Sequence, residues 1–147
     1  METVKDILRA KGHNVWSVAP GATVLEALEL MAAKNVGAVL VLEDDKLVGI
    51  MSERDYARKV ILLGKTSKDT PVSEIMTSRV LYVSADQTIQ ECMALMTEKR
   101  IRHLPVMEEN RVIGVVSIGD VGRAIISDQQ FMLDQLEHYI TGSGSGS

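Results

Sequence analysis

A duplication constrains this chain more than any other feature of its sequence. Val15 to Val60 aligns without a gap to Val80 to Ile125, at an offset of 65 residues. Thr23 matches Thr88, Glu26 matches Glu91, and Leu30-Met31 matches Leu95-Met96. Further along, Val41 pairs with Val106, Gly49 with Gly114, Ser52 with Ser117 and Asp55 with Asp120. Upstream, Val4 to Leu8 resembles Val72 to Met76, and the loop that follows differs in length by three residues. Self-similarity of this kind means one supersecondary unit used twice, with neither copy covering its apolar face alone.

Both copies carry the same punctuation. Thr23 with Glu26, and Thr88 with Glu91, have the spacing of a capping box. Apolar residues then recur at helical spacing: Val24, Ala27, Leu28, Met31 in one copy and Ile89, Cys92, Met93, Met96 in the other. Ala38 to Leu42 and Leu104 to Met107 read as strands, followed by turns at Asp44-Asp45 and Glu109-Asn110. A second strand follows in each, Leu47 to Met51 and Val112 to Val116, and a second helix starts near Ser52 or Ser117. The unit is therefore β-α-β-β-α. Two such units packed sheet to sheet, with pseudo-twofold symmetry, predict an α/β (α+β) fold sharing one core.

The expected organisation is a first repeat with its N-terminal helix over 1–71, a second repeat over 72–126, a C-terminal helix over 127–141 and a flexible Gly/Ser tail over 142–147. In the C-terminal helix, Met132, Leu136, Tyr139 and Ile140 fall on one face that would dock on the body or on another subunit, ordinary packing being the expectation. The stripes Val24 to Met31 and Ile89 to Met96 are expected to exceed what a small body covers. They predict a homodimer that buries helical faces.

Composition narrows the function classes. A net charge of −4 and few aromatics argue against nucleic acid and against an anionic membrane surface. No apolar run approaches the length of a membrane span. Met1 to Lys11 lacks both a signal core and a transit pattern, so the expected location is cytoplasmic. Cys92 is the single cysteine and falls on an apolar helix face, which suits an inert core thiol. His13, His103 and His138 show no metal-ligand spacing, and no nucleophile–base constellation is visible. An enzyme is not expected.

The polar signal lies where a strand meets a helix. Gly49-Ile-Met-Ser-Glu-Arg-Asp55 and Gly114-Val-Val-Ser-Ile-Gly-Asp120 share the order Gly, two apolar residues, Ser, two variable residues, Asp. Ser-x-x-Asp is a helix-capping signature in its own right. The same geometry suits a ligand: free N–H groups at a helix N-terminus take phosphate, and a carboxylate accepts a ribose diol. Arg54, Arg102 and His103 would add a local anion site to an acidic chain.

These features together resemble the tandem CBS-domain pair, or Bateman module, over Val4 to Ile126. The resemblance rests on the duplication, both Gly-h-h-Ser-x-x-Asp segments and Arg102-His103-Leu104-Pro105-Val106. It implies a regulatory module that binds an adenine nucleotide such as AMP, ADP, ATP or NADH, pairs into a homodimer and acts on a partner protein. It nominates Ser52, Arg54 and Asp55 with Thr77, Val80, Arg102 and His103 for one site. Ser117 and Asp120, with Val15 and Val36 beside the base, would form the other. Gly37-Ala38 stands where the second repeat has Arg102-His103, and Gly119 where the first has Arg54, so the two sites are unequal. An interaction scaffold with non-functional clefts is the rival reading.

Overall fold

The apolar periodicity of each repeat becomes a helix, and the two aliphatic runs after it become a hairpin. In the computed structural model, which describes residues 2–140, the chain forms α1 (Val4–Lys11), β1 (Ser17–Val18), α2 (Val24–Lys34), β2 (Ala38–Glu43), β3 (Lys46–Ser52) and α3 (Glu53–Tyr56). After a π turn over Ala57–Ile61 and a 3-10 turn over Val72–Glu74 come β4 (Val83–Ser84), α4 (Ile89–Lys99), β5 (His103–Glu108), β6 (Arg111–Ser117) and α5 (Ile118–Ile140). The Gly/Ser tail, Gly142 to Ser147, lies outside the described residues.

Local chemistry sets the boundaries. Thr23 and Thr88 cap α2 and α4 by accepting the N–H of Glu26 and Glu91, each at 3.1 Å. Glu91 returns the bond to the Thr88 N–H at 2.9 Å, so the full box forms at α4. Both helices end on a left-handed residue, Asn35 and Arg100. The hairpins turn through Asp44-Asp45 and Glu109-Asn110, all with positive φ, which matches the twist of the flanking strands.

Two three-stranded sheets result, ordered β1-β2-β3 and β4-β5-β6, each with a parallel first pair and an antiparallel second pair. The register irregularity recurs at Val41/Leu42 and Val106/Met107. Pro105 is tolerated inside β5 because β4 pairs only from Val106 onward. Its counterpart Leu40 does donate, to the Trp16 carbonyl at 3.0 Å.

The expected single shared core is instead two cores. One joins Val24, Ala27 and Met31 to Val39, Val41 and Met51; the other joins Ile89, Cys92 and Met96 to Leu104, Val106 and Val116. The opposite sheet faces, through Leu40, Ile50 and Val115, line the cleft between the repeats.

The leading segments are exchanged between repeats. Val4, Ile7 and Leu8 of α1 enter the core of the second repeat, and Val72 and Ile75 enter that of the first. Backbone bonds fix the exchange: Val4 N–H donates to Gln87 and Ile89 N–H to Glu2, while Val24 N–H donates to Thr70 and Val72 N–H to Ala22. Thus the helix grouped by sequence with 1–71 packs on the other repeat. A Cβ at Gly114 would lie 2.6 Å from Leu8 Cδ2, and one at Gly49 would collide with Met76. Each glycine makes room for the matching residue of the exchanged segment.

In the stripes Val24 to Met31 and Ile89 to Met96, Val24, Ala27, Met31, Ile89, Cys92 and Met96 are buried within the chain, while Leu28 and Met93 are only partly buried. One further expectation is corrected. The C-terminal face does not dock on the body: Met132 is 58%, Leu136 56% and Tyr139 85% exposed. The reason is continuity. Asp128 to Ile140 prolongs α5 without a break, so no turn folds it back.

Candidate functional site

Each strand-to-helix junction forms the reciprocal cap that Ser-x-x-Asp encodes. Ser52 Oγ accepts the Asp55 N–H at 3.3 Å, and Asp55 Oδ2 accepts the Ser52 N–H at 3.0 Å. In the second repeat the same pair measures 3.1 Å and 2.8 Å between Ser117 and Asp120. The next N–H closes the junction onto the start of the preceding hairpin: Glu53 donates to Gly37 at 3.1 Å and Ile118 to Arg102 at 2.8 Å. This is why residues far apart in each repeat meet at the helix N-termini.

The two junctions share one cavity of about 750 Å³, within the usual range for small-molecule sites. Ser52, Arg54 and Asp55 line it from the first repeat, and Ser117 and Asp120 from the second. Thr77, Val80, Arg102, His103 and Val36 also line it. Val15 does not; it is half-buried just outside, and the neighbouring Trp16 lines the cleft in its place. The Lys34 ammonium lies 4.5 Å from the Trp16 ring centroid. Sequence reading missed Lys11, Arg79 and Arg123. Arg123 was within reach of a spacing argument, three residues beyond Asp120 on a helix. Lys11 was not, since only the exchange of α1 brings it to the second repeat.

Cations outnumber carboxylates here. Lys11, Arg54, Arg79, Arg102 and Arg123 face Glu53, Asp55 and Asp120 around the cavity, in a chain whose net charge is −4. The cleft is therefore a local anion-attracting region. Arg54 also crosses the repeats, donating to the Arg100 carbonyl at 2.6 Å.

Asp120 shows the field at work. Burial acts to raise its carboxyl, but the Lys11 hydrogen bond, the Ser117 N–H and the Lys11 charge outweigh that and hold it below the ordinary range. His103 goes the other way for a base: burial, then the Arg102 charge, push the imidazole below its usual value, against the pull of Glu53 and Asp120. Its ring crosses to the first repeat, where a Cβ at Gly37 would lie 3.2 Å from Nε2. Gly37 is thus the space the imidazole occupies. Cys92 lies in the second core, and burial raises its thiol to about 11, so it is poorly nucleophilic.

A CBS-domain family model matches residues 4–61 and 72–127. The chain belongs to the CBS-domain family. Among curated proteins, this CBS pair is 39% identical to the mitochondrial CBS domain-containing protein CBSX3 of Arabidopsis thaliana, over 95% of this chain and 72% of that one. Among solved structures it resembles a CBS-domain protein of Burkholderia ambifaria, with 50% identity, a TM-score of 0.84 and coverage of 86% and 96% of the two chains. It also resembles, at 25% identity and a TM-score of 0.77 over 87% and 98%, a CBS domain pair solved with 5′-methylthioadenosine and S-adenosyl-L-methionine. In the CBS pair described here, the junction carboxylates, the helix N-termini and the cations of one cavity offer acceptors for a diol and donors for an anion.

Proposed function

We propose that this CBS pair is a regulatory module that binds an adenine nucleotide, of the class AMP, ADP, ATP or NADH, between its repeats and acts on a partner protein without catalysing a reaction. One observation carries the reading. The two Ser-x-x-Asp junctions, duplicated in sequence, converge on a single cavity whose other charged residues are mostly cationic. In this reading the carboxylates take ribose hydroxyls and the cations take phosphate. Occupancy regulates only as far as the ligand binds one arrangement of the repeats better than another.

A second reading has an observation of its own. Both carboxylates already have partners, Asp55 in Lys59 at 3.1 Å and Asp120 in Lys11 at 2.6 Å. Clefts satisfied in this way would suit an interaction scaffold. A thermal-shift series with adenine nucleotides separates the two. A nucleotide at 100 times its dissociation constant adds about 2.7 kcal/mol to stability, whereas a scaffold does not respond. Mass spectrometry of small molecules co-purified with the protein then identifies the natural ligand.

The regulatory reading includes a homodimer. Phe131, Met132, Leu133, Leu136 and Tyr139 on α5, and Ile61, Leu62 and Leu63 after α3, are exposed. The first group is interspersed with Asp134 and Glu137, and the second is flanked by Arg58, Lys65 and Lys68. Opposite charges beside two apolar surfaces suit a self-complementary pairing, each chain giving one surface to the other.

A further inference from the structure

Asp55 and Asp120 are related by the repeat, but their partners are not. Oδ1 of Asp55 accepts from the Lys59 ammonium at 3.1 Å and from the Thr77 hydroxyl at 3.3 Å. Lys59 follows on the same helical segment, also donates to the Ile75 carbonyl at 3.1 Å, and is not part of the cleft lining. Asp120 accepts from Lys11 Nζ at 2.6 Å on Oδ2 and from Arg123 Nη2 at 2.8 Å on Oδ1. Lys11 and Arg123 both line the cleft. Where Asp55 takes Thr77 from the exchanged segment, Asp120 takes Lys11 from the end of α1.

The consequence is chemical. Ser117 N–H and Lys11 fill Oδ2 of Asp120 and Arg123 takes one of the two acceptor sites on Oδ1, so a ribose diol bonding through both hydroxyls displaces a partner, and the side chains that can move are Lys11 and Arg123. An uncharged nucleoside would then replace an ionic partner with a neutral one and leave a cation facing it. A nucleotide brings an anion to the displaced cation, so the charge-assisted bond is re-formed on phosphate. Each displaced lysine keeps a backbone carbonyl, Lys11 that of Val115 at 2.9 Å and Lys59 that of Ile75 at 3.1 Å, so the sides differ in that Lys11 and Arg123 face the cleft and Lys59 does not.

We propose that Lys11 is a specificity-determining residue: it makes the Asp120 side of the cleft select phosphorylated adenosines over adenosine itself. The proposal rests on the nucleotide-binding reading above. Trp16 supplies a local reporter. It is the only tryptophan, it lines the cleft, and the segment from Lys11 leads to it as the segment from Thr77 leads to Leu81.

The test compares AMP with adenosine by Trp16 fluorescence and calorimetry, on the wild type, Lys11→Met and Lys11→Arg. The wild type should bind AMP more tightly than adenosine. Lys11→Met should cut that preference by roughly tenfold or more, the scale of one hydrogen bond to a charged group, and Lys11→Arg should retain most of it. Because both ligands are titrated into the same preparation, a loss of folded protein cancels from the ratio. A preference unchanged to within about twofold in Lys11→Met overturns the role of Lys11 and leaves nucleotide binding standing. A wild type that binds neither ligand overturns both.

Discussion

At Gly114 the absent side chain is a packing requirement. The site that a Cβ would take lies 2.6 Å and 3.1 Å from the two Leu8 methyls, inside the second core. Gly114→Ala should therefore cost about 1–3 kcal/mol by overpacking, measured by urea unfolding. Leu8→Ala alone should cost about 2–5 kcal/mol, and the double variant should cost less than the two together, since one change relieves the other. Strict additivity would contradict the contact. His103 gives a pH signature. Its folded-state value lies below the ordinary 6.5, so between the two values the unfolded chain binds more protons. Stability attached to His103 is therefore present above 6.5 and is lost as pH falls towards the folded value. Melting temperature should drop from neutral pH towards pH ~5.5 in the wild type, and less so in His103→Gln. Equal slopes would show that the imidazole is not held neutral by its surroundings. The Asp120 carboxyl is depressed as well, but its contribution is lost lower, as pH falls through the carboxylate range.

At the scale of elements, the repeats differ most in their second helices. In the first repeat α3 gives way to the π turn Ala57–Ile61, and the chain turns away at Gly64, with φ of 70°. In the second, α5 continues from Ile118 to Ile140 and carries an apolar face outward. If a second copy covers that face, static light scattering should give a dimer mass at micromolar concentration. Leu133→Glu with Leu136→Glu should give a monomer of unchanged helical content, because neither side chain is part of the core within the chain. A monomeric wild type at high micromolar concentration would reject the pairing. The hairpins, caps and amphipathic helices were legible because their signals are local: a Thr with a Glu three residues on, a turn pair, a period in the aliphatics. The exposure of the α5 face was not legible. A helical stripe has the same period whether it meets its own body, another copy or water.

For the whole molecule, the duplication carried the architecture. It placed Asp55 and Asp120 in corresponding positions, and a pseudo-twofold arrangement brings corresponding positions to one cleft. What it could not carry was the exchange of leading segments, because α1 resembles Val72 to Met76 equally well whichever repeat it covers. That exchange delivers Lys11 to Asp120 across a separation of 109 residues, which no spacing rule reaches. Val15 was nominated where Trp16 lines the cleft for a similar reason: strand alternation depends on where β1 begins, and β1 spans only Ser17 and Val18. Whether the paired junction carboxylates serve a ligand as well as a cap is decided by calorimetry of AMP and ATP binding to the wild type, Asp55→Asn and Asp120→Asn. The wild type should bind, and at least one variant should lose about 1.5–3 kcal/mol of affinity, the range for a hydrogen bond to a charged group, while unfolding stability falls by only about 1 kcal/mol, as loss of a cap does. No binding to the wild type, or the same affinity in all three proteins, would contradict the ligand role and leave Ser-x-x-Asp as a helix cap alone.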